Sequence, residues 1–527
     1  MKRFHLRSDP SQISFLFKRT LSLIVIAASA AVVGFGGTDI EQPDGRDIRK
    51  LIKQGEKHVR RGELELAEKI FERVVKTSPE NSRGKLGLAF VYLKQRRLRE
   101  AYDTSFAVAK ANPKDSYALA VLGATLLNAG KFPEARRIFT GSLSLNKKEA
   151  LAWAGYGMLD FYENRINDSL SNLQAAVFYD PDEPDYLFAL AQVSARAERY
   201  KDAADSYYRF LSLSKNTDDE RRDRIKGLIN FLRFLGQKQA LYTTGGDSHT
   251  SVPFRLVGNR PVIQLRVNGR DQPLNFVLDT GSGISVISDT TAELLDIDPI
   301  TRGGFAKGIG GDGRFEIVYG FVRQVEIGEV TVRNVPVYIR KFHTQTHSVD
   351  GYIGLSLISK FLTTIDYGNL KFTLTKADVE ERVAELDKSI SLPLRLTSSG
   401  FLSGEVQLQG VDQPLNFIVD TGASVSVISD EVAGLETIST FARDEKMRVI
   451  GSAGVTEDVP SFLLPRVSFG THTCESITAI ALDLDMINEA SGFEQAGILG
   501  GNFLRNYRMT FDFKNSKVIF VPIEQVP

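Results

Sequence analysis

The arrangement of small, apolar and polar positions changes character at about residue 240. In residues 48–215 a small side chain returns every 34 positions, and residues 218–235 add an amphipathic segment that predicts a capping helix. Beyond residue 253, short runs such as PVIQLRVNG and SGEVQLQG alternate apolar and polar positions between turns rich in glycine and asparagine. Such alternation is typical of half-buried strands. The sequence therefore predicts a helical array over 48–235 followed by an all-β region.

The 34-residue period follows from the way in which paired helices pack. The recurring residues are the small Ala67, Ala101, Ala135, Ser169 and Ala203, the large Phe71, Phe139, Leu173 and Tyr207 four positions later, the glycines Gly55, Gly123 and Gly157 twelve positions earlier, and the closing prolines Pro79, Pro113 and Pro181. A small side chain on the second helix of a unit lets it approach the first helix, and proline cannot continue a helix. Over five units this pattern resembles the tetratricopeptide repeat.

The resemblance to this repeat implies an α-helical solenoid, for which two roles are open. Such an array can bind an extended peptide or a partner protein on its concave face. It can also be a passive spacer that holds the rest of the chain away from a membrane. No sequence motif names a ligand, so the pattern alone does not separate the two roles.

The β-rich region contains the same segment twice. Residues 272–289 read QPLNFVLDTGSGISVISD and residues 413–430 read QPLNFIVDTGASVSVISD, so 13 of 18 positions are identical at an offset of 141. Later matches keep the same order: GIGG (308–311) with IGSAG (450–454), DGYIGLSLI (350–358) with AGILGGNFL (496–504), and TTIDYGNLKFTL (363–374) with MTFDFKNSKVIF (509–520). The duplication therefore covers a whole domain, with predicted copies at 253–376 and 391–524.

Each copy resembles a lobe of the retropepsin-like aspartic protease family. The resemblance rests on an apolar pair followed by Asp-Thr-Gly-Ser/Ala, at 277–282 and 418–423, and on a late apolar-apolar-Gly element that ends at Gly354 and Gly500. A lone Asp-Thr-Gly is weak evidence, but this frame with its late partner occurs twice. Since one retropepsin lobe supplies half of an active site, the resemblance implies two all-β lobes that form a pseudo-dimer within one chain.

The resemblance implies that Asp279 and Asp420 are a catalytic pair. Two carboxylates about 3 Å apart cannot both ionise, so such a pair shares one proton. The ionised member would take a proton from water, and the protonated member would polarise the scissile carbonyl group. In the family, the glycine after each aspartate allows close backbone approach, and the threonine reaches the loop of the other lobe. These supporting residues are Thr280, Gly281, Thr421 and Gly422.

Two glycine-rich segments occupy the place of the retropepsin flap. They lie at 308–313 and 451–454, and their candidate hinge residues are Gly310, Gly311 and Gly451. A plain hairpin turn is the alternative for each segment.

The two copies differ in length, because the segment from Asp420 to Gly500 is longer than the segment from Asp279 to Gly354. The first copy has Ser282-Gly283 where retropepsins more often have alanine and an acidic residue. Such unequal lobes are expected to pair with each other.

Three further segments lie outside the repeats and lobes. Glycine and small polar residues at 236–252 predict a linker, and residues 377–390 predict a short helix or tether between the lobes.

The N-terminal segment has a different pattern, in which Lys18 and Arg19 precede a long uncharged run at 21–37. Cations before an apolar stretch are typical of export, so residues 1–40 predict a signal or membrane anchor. The remaining chain would then be periplasmic or otherwise extracytoplasmic.

Composition excludes several classes of function. Lys+Arg and Asp+Glu both number 65, which argues against a nucleic-acid partner because such proteins carry a basic excess. Cys474 is the only cysteine, so no intrachain disulfide and no cysteine-based metal site can form. No zinc, phosphate-binding or serine-elbow motif occurs in the sequence. We therefore expect neither a metal nor another cofactor.

Two hypotheses for function follow from the sequence. The first is an exported aspartic endopeptidase that hydrolyses a peptide or protein substrate and uses the repeat array to recruit substrate or partner. The second is a scaffold whose protease-like lobes bind peptide without cutting it. An intact Asp-Thr-Gly in both copies favours the enzyme, since a retired site has no chemical reason to keep both carboxylates.

Overall fold

The structure is a computed structural model that describes residues 45–238, 240–311, 313–343, 349–376 and 390–523. The predicted export segment at 21–37 and residues 377–389 of the predicted tether lie outside these ranges. Within these ranges no helix is both long enough and apolar enough to cross a bilayer. The predicted helical array and the two β-rich lobes are both confirmed.

The array is built of antiparallel helix pairs followed by a terminal helix. Its helices are α1 (Gly45–Arg61), α2 (Leu64–Thr77), α3 (Ser82–Lys94), α4 (Leu98–Ala111), α5 (Ser116–Asn128), α6 (Phe132–Leu145), α7 (Ala150–Tyr162), α8 (Ile166–Tyr179), α9 (Pro184–Arg196), α10 (Tyr200–Leu213) and α11 (Asp219–Leu235). All five recurring small residues are fully buried. A Cβ on Gly123 would lie 2.6 Å from the Phe139 ring, so the glycine of one helix accommodates the aromatic residue of its partner.

The β-rich region begins with the first lobe and its short helices. These elements are β1 (Thr243–Gly246), β2 (His249–Pro253), β3 (Arg255–Val257), β4 (Arg260–Val267), β5 (Leu274–Leu278), β6 (Ser285–Ser288), α12 (Asp289–Leu294), β7 (Thr301–Lys307), β8 (Arg314–Ile327), β9 (Val330–Arg340), β10 (Gly351–Ile353), α13 (Leu355–Ile358), β11 (Phe361–Asp366) and β12 (Lys371–Lys376). Toward the end of β4 buried and exposed side chains alternate, as the sequence pattern predicts.

The second lobe repeats the core elements in the same order. Its elements are β13 (Ile390–Pro393), β14 (Arg395–Leu396), β15 (Leu402–Leu408), β16 (Leu415–Val419), β17 (Ser426–Ser429), α14 (Asp430–Ala433), α15 (Glu436–Ser439), β18 (Ala442–Gly451), β19 (Gly454–Phe469), β20 (His472–Leu482), α16 (Asp485–Ser491), β21 (Gly497–Leu499), α17 (Gly501–Leu504), β22 (Tyr507–Asp512) and β23 (Lys517–Pro522). Strand order in the first lobe, β3-β4-β5-β10-β6-β9-β8-β7, matches β14-β15-β16-β21-β17-β20-β19-β18 in the second.

A third sheet joins the two lobes. Its strand order is β13-β23-β22-β11-β12-β2, so the last two strands of each lobe meet at the centre of one sheet. Thr364 lies opposite Thr510 in the central pair, and the two hydroxyl oxygens are 3.0 Å apart. These threonines are equivalent positions of the duplication, so the pseudo-two-fold axis passes between them.

The segment at 236–252 corrects the prediction of a linker. Part of this segment forms β1, which pairs with β9 at the edge of the first lobe, and part forms β2, which pairs with β12 in the joining sheet. Its backbone N–H and C=O groups therefore find partners at two sheet edges that would otherwise leave such groups unpaired. Small polar residues suggested a flexible connection, but extended backbone at a free sheet edge outweighs that composition.

The array packs against both lobes along the turns that join the two helices of each pair. Arg96, Asn164 and Glu198 lie in three of these turns, at positions that the repeat period makes equivalent, and all have a left-handed backbone. Arg96 pairs with Glu494 at 2.7 Å, Asn164 donates to the Phe513 carbonyl oxygen at 3.4 Å, and Glu198 pairs with Lys360. One edge of the solenoid thus spans both lobes.

The second lobe also inserts a side chain into the array. Most of the extra length of this copy falls between β20 and β21, in the loop that carries α16. Phe493 from this loop is fully buried, with its ring centroid 4.9 Å from those of Phe132 and Tyr162. The Tyr162 hydroxyl donates to the Gly492 carbonyl oxygen at 3.2 Å. Phe493 therefore belongs to the hydrophobic core of the array although the second lobe supplies it.

Candidate active site

Asp279 and Asp420 lie side by side where the two lobes meet. Each follows the last residue of a buried strand, β5 or β16, and its backbone N–H donates to the carbonyl oxygen of Ile353 or Leu499 at 3.0 Å. The two carboxyl groups hydrogen-bond to each other. The duplicated strand-turn therefore brings one carboxyl group from each lobe to a common point on the pseudo-two-fold axis.

Gly281 and Gly422 make this close approach possible. The Gly281 N–H donates to Asp279 Oδ1 at 2.9 Å, and the Gly422 N–H donates to Asp420 Oδ1 at 2.7 Å. A Cβ on Gly281 would lie 2.4 Å from Asp420 Cγ, and a Cβ on Gly422 would lie 2.6 Å from Asp279 Oδ1. Any side chain at either glycine would therefore push the opposite carboxyl group out of the pair.

Thr280 and Thr421 connect the two loops by a reciprocal exchange of hydrogen bonds. The Thr280 hydroxyl donates to the Val419 carbonyl oxygen at 2.6 Å, and the Thr421 hydroxyl donates to that of Leu278 at 2.7 Å. Each hydroxyl oxygen also accepts from the other threonine's backbone N–H, at 3.1 and 3.2 Å. Both threonines are almost completely buried, so these bonds satisfy groups that water does not reach.

The late glycines support the same loops from behind. Gly354 directly follows β10, and a Cβ there would lie 2.7 Å from the Ile284 carbonyl carbon. Gly500 has the same place after β21, where a Cβ would lie 2.7 Å from the Val425 carbonyl carbon. The predicted late element is therefore a close backbone contact that fixes the chain just after each aspartate.

The two aspartates differ in their electrostatic surroundings. Burial raises the pKa of Asp420 well above its ordinary value, and the neighbouring Asp279 carboxylate raises it further. Burial also raises the pKa of Asp279, but the Ser282 hydroxyl, which donates to Asp279 Oδ2 at 2.6 Å, and the Arg340 charge act in the opposite direction. These surroundings therefore favour the ionised form at Asp279 more than at Asp420.

The glycine-rich segments are the tips of two long hairpins that touch each other. The Gly311 N–H donates to the Val455 carbonyl oxygen at 3.1 Å, and the Ala453 N–H donates to that of Ile309 at 2.8 Å. Gly310, with φ of +92°, and Gly451 both lie at this contact, where a Cβ on either would meet opposing backbone at 2.2 Å. Glycine at these positions allows the two tips to cross.

One hairpin tip lies over the second half of the pair. Ile309, from the first lobe, belongs to an apolar cluster that also contains Ala423, three residues after Asp420. Each segment is therefore a hairpin turn, as one alternative predicted, and the role of its glycines as hinges of a flap stays a prediction.

Sequence analysis did not single out Arg340 or Arg260, and it placed Tyr352 only in the late apolar element; Arg340 and Tyr352 interact with Asp279. Arg340 ends β9, and its charge lowers the Asp279 pKa. Arg260 hydrogen-bonds to the Tyr352 hydroxyl. Aligning the two copies over their full length would have revealed them, because the equivalent residues of the second copy are apolar. Among the described residues, no three or more His, Cys, Asp or Glu side chains are grouped to hold a metal ion.

Comparison with known proteins identifies the same two parts. The sequence model of the aspartyl protease family matches residues 263–357 and 405–503. Two tetratricopeptide repeat models match residues 58–125 and 157–217. These matches fall on the two lobes and on the helical array.

Individual relatives are distant. An aspartic proteinase from Irpex lacteus is 14% identical, with 52% of this chain and 98% of that chain covered and a TM-score of 0.37. A tetratricopeptide repeat protein from Thermus thermophilus is 19% identical, with 34% and 98% covered and a TM-score of 0.30. The 131 kDa subunit of transcription factor tau from Saccharomyces cerevisiae is 24% identical over 179 residues, which are 34% of this chain. The match spans only 17% of that subunit's length.

The matched ranges agree with the duplicated strand order and the 34-residue helical period. The family model occurs twice in tandem, once in each lobe, and the repeat models match segments that precede the lobes. The chain thus carries two tandem domains of the aspartyl protease family, preceded by tetratricopeptide repeats.

Proposed function

We propose that the protein is an aspartic endopeptidase whose active site is the Asp279–Asp420 pair of a single chain. The observation that carries this proposal is the hydrogen-bonded pair of carboxyl groups, supplied one from each lobe. The threonine exchange and the two opposed glycines support it, because both hold the carboxyl groups in fixed positions. Such preorganisation is what acid–base catalysis requires.

The different surroundings of the two aspartates support a different role for each in this proposal. Asp279, as the base, would take a proton from a water molecule while the water oxygen attacks the scissile carbonyl carbon. Asp420 would at the same time give its proton to the carbonyl oxygen, so that a gem-diol forms. In the second step the C–N bond breaks, Asp279 passes its proton to the leaving nitrogen, and one gem-diol hydroxyl returns a proton to Asp420. Both carboxyl groups then regain their starting states.

Single substitution of each aspartate tests this proposal. We expect Asp279→Asn and Asp420→Asn each to abolish cleavage of a peptide mixture, because either change removes the shared-proton pair. Mixing the two variants should restore nothing, since every chain then holds one intact and one defective half. Asp366→Asn is the matched control, because this carboxylate accepts hydrogen bonds within an exposed turn. Residual cleavage near half of normal in either variant would contradict the single-chain pair.

The unsubstituted chain also separates the enzyme from the scaffold. The assay covers about pH 4 to 7, because a buried carboxyl pair titrates above the ordinary range of aspartate. Binding of peptides without cleavage over this range would favour the scaffold. Cleavage that stops on addition of an inhibitor directed at paired aspartates would favour the enzyme.

We also propose that the array contributes to substrate binding. A cavity of about 860 Å³ lies between the array and both lobes and is lined by Arg196 and Tyr207 of the array, Gly283 of the first lobe and Ser398 of the second. Gly283 follows closely after Asp279 in the same loop. Arg196 donates to the carbonyl oxygens of Thr397 and Ser398 at 2.7 and 3.2 Å, so the array holds the loop that faces Gly283.

Export from the cytoplasm is a further part of the proposal. It is supported by the cations and the uncharged run at 21–37. A reporter fused after residue 40 should be active only if it functions outside the cytoplasm. Activity of a reporter that works only inside would contradict export.

A further inference from the structure

The duplication allows the two sides of the active site to be compared position by position. Arg340 lies opposite Ser288 in the parallel pair of β6 and β9, and Leu482 lies opposite Ser429 in the equivalent pair of β17 and β20. Ser288 and Ser429 are themselves equivalent, because each is the same serine of the duplicated segment. Arg340 and Leu482 therefore occupy the same position in the two lobes.

At two more pairs of equivalent positions, the first lobe again has a polar or charged residue and the second lobe an apolar one. Tyr352 lies opposite Val277, and its equivalent Ile498 lies opposite Ile418. Val262 and Ser403 are also equivalent, because they face this same Val277 and Ile418 in the antiparallel pairs. Two positions before them stand Arg260 and Phe401. At three equivalent positions, the first lobe thus has two arginines and a tyrosine, and the second lobe has three apolar residues.

Arg340 lies between the aspartate pair and both hairpin tips. Its Nη2 donates to the Ser452 carbonyl oxygen of the second tip at 2.5 Å, and its guanidinium carbon is 4.2 Å from the Phe315 ring centroid of the first hairpin. Its Nε is buried and has no hydrogen-bond partner among the described residues. None of the ion pairs in the described part of the chain includes Arg340.

Burial opposes the charge of this arginine. It lowers the pKa of Arg340, while Tyr352 and Asp279 partly offset the effect. A guanidinium removed from water and short of hydrogen-bond acceptors gains most from a carboxylate, which can accept two of its N–H groups at once. The first-lobe side of the cleft therefore favours an anionic group.

The second-lobe side has the opposite character. Phe401, Leu482 and Ile498 belong to one apolar cluster, together with Ala423 beside the aspartate pair and Ile309 from the first hairpin tip. A charged side chain would lose its hydration there without gaining a partner, whereas an apolar side chain would gain from burial.

We propose that the two sides of the cleft select different residues around the scissile bond: an aspartate or glutamate against Arg340 of the first lobe, and a large apolar residue against Leu482 of the second. This inference rests on the proposed endopeptidase function, because it assigns the substrate class of that same site. Arg340 is the specificity-determining residue, and Arg260 supports it by holding the Tyr352 hydroxyl.

Matched peptides test the inference on the whole chain. The set varies the two residues that flank one bond as Glu–Leu, Gln–Leu, Leu–Glu and Leu–Gln, and kcat/KM is measured for each. We expect one of the two Glu peptides to exceed its Gln counterpart by about tenfold or more, the size of a charge-assisted hydrogen bond. The preference should decline below about pH 4, where the peptide carboxyl group takes up a proton.

Substitution at the two equivalent positions gives the sharper result. Arg340→Gln should reduce the Glu/Gln ratio to near one and raise kcat/KM for the Gln peptide, because a desolvated charge is removed. The ratio is informative because both peptides use the same aspartate pair, so any change in the Asp279 pKa cancels. Leu482→Arg is the matched variant, and it should create a preference for Glu on the other side of the bond.

The outcomes separate this inference from the function on which it rests. If the unsubstituted chain cleaves no peptide at any pH tested, the proposed function fails. If it cleaves Glu and Gln peptides equally well, or if Arg340→Gln leaves the ratio unchanged, the function stands and the inference is wrong. A thermal unfolding curve of Arg340→Gln that matches the unsubstituted chain shows that the ratio does not change through loss of folding.

Discussion

The two lobes are alike on the pseudo-two-fold axis and different away from it. On the pseudo-two-fold axis, Thr280 and Thr421 donate to each other's loops, and each glycine of the pair faces the opposite aspartate. A substitution at such a position therefore alters the contacts of the equivalent loop in the other lobe. Away from the axis the copies have different neighbours. There the first lobe has Arg340 where the second has Leu482, and only the second lobe carries the longer loop.

The longer loop shows what this difference does for the molecule. Residues 341–350 separate β9 from β10 in the first lobe, whereas the longer stretch 483–496 separates β20 from β21 in the second. The second loop has room for α16 and for Phe493, which enters the array. A symmetric pair of lobes would offer the array two equivalent docking sites. The added residues give the second lobe an apolar insertion into the array that the first lobe does not have.

Of the substitutions that test this difference between the lobes, removal of the Phe493 ring should have the largest effect. Phe493→Ala would leave a cavity between Phe132 and Tyr162, and we expect it to destabilise the docked array by about 3–5 kcal/mol. Denaturant unfolding followed by the fluorescence of Trp153, the only tryptophan, reports on the array directly. Peptide cleavage measured on the same samples shows whether the loss reaches the active site.

Phe178→Ala is the matched control for this variant. Phe178 lies on the same array but is 78% exposed, so its removal should change the unfolding midpoint little. An equal effect of both variants would mean that the Phe493 contact does not hold the lobe and the array together.

The second prediction concerns the unequal aspartates and has an expected effect of about half to one pKa unit, since one hydrogen bond contributes about 0.5–1.5 kcal/mol. Ser282→Ala removes a donor that stabilises ionised Asp279, so the pKa of Asp279 should rise. Because Asp279 must be ionised to act as base, the acid limb of the activity profile should move to higher pH. A pH profile of kcat/KM on a neutral peptide measures this shift.

The equivalent substitution in the other lobe should act on the other limb. Ala423→Ser places a hydroxyl beside Asp420, where it would stabilise the ionised form and lower the pKa. Since Asp420 must hold the proton, the basic limb should move to lower pH. A shift of the same limb in both variants would contradict the assignment of base and acid.

Much of this architecture could be predicted from the sequence, for reasons that particular residues make plain. Ala101 and Ala135 revealed the array because close helix packing admits only small residues at a fixed interval. Asp279 and Asp420 were recognisable because the segments around them are nearly identical. Both signals are local and repeated, so a single sequence carries them.

What could not be predicted depends on contacts between distant segments. Residues 243–246 looked like linker because their composition is small and polar, and only the free edge of β9 explains their pairing. Phe493 is an ordinary apolar residue until the loop after α16 places it in the array. Arg340 is a candidate specificity residue only because the hairpin tips pack against it and bury it. Burial by another part of the chain leaves no local pattern.

The smallest predicted effect concerns the ion pair between Arg96 and Glu494, whose charged atoms are 2.7 Å apart. Glu494 directly follows Phe493, so this ion pair borders the apolar contact. Both side chains are partly exposed, so solvent screens the pair and we expect a coupling of only about 0.2–1 kcal/mol. A double-mutant cycle with Arg96→Ala and Glu494→Ala, read by the unfolding signal of Trp153, isolates this coupling. The coupling should weaken in high salt, while the effect of Phe493→Ala should not. The coupling free energy of the ion pair could instead equal the loss of stability in Phe493→Ala. Charge would then hold the array to the second lobe as strongly as the Phe493 ring does, and the apolar insertion would not be the main contact that distinguishes the two lobes.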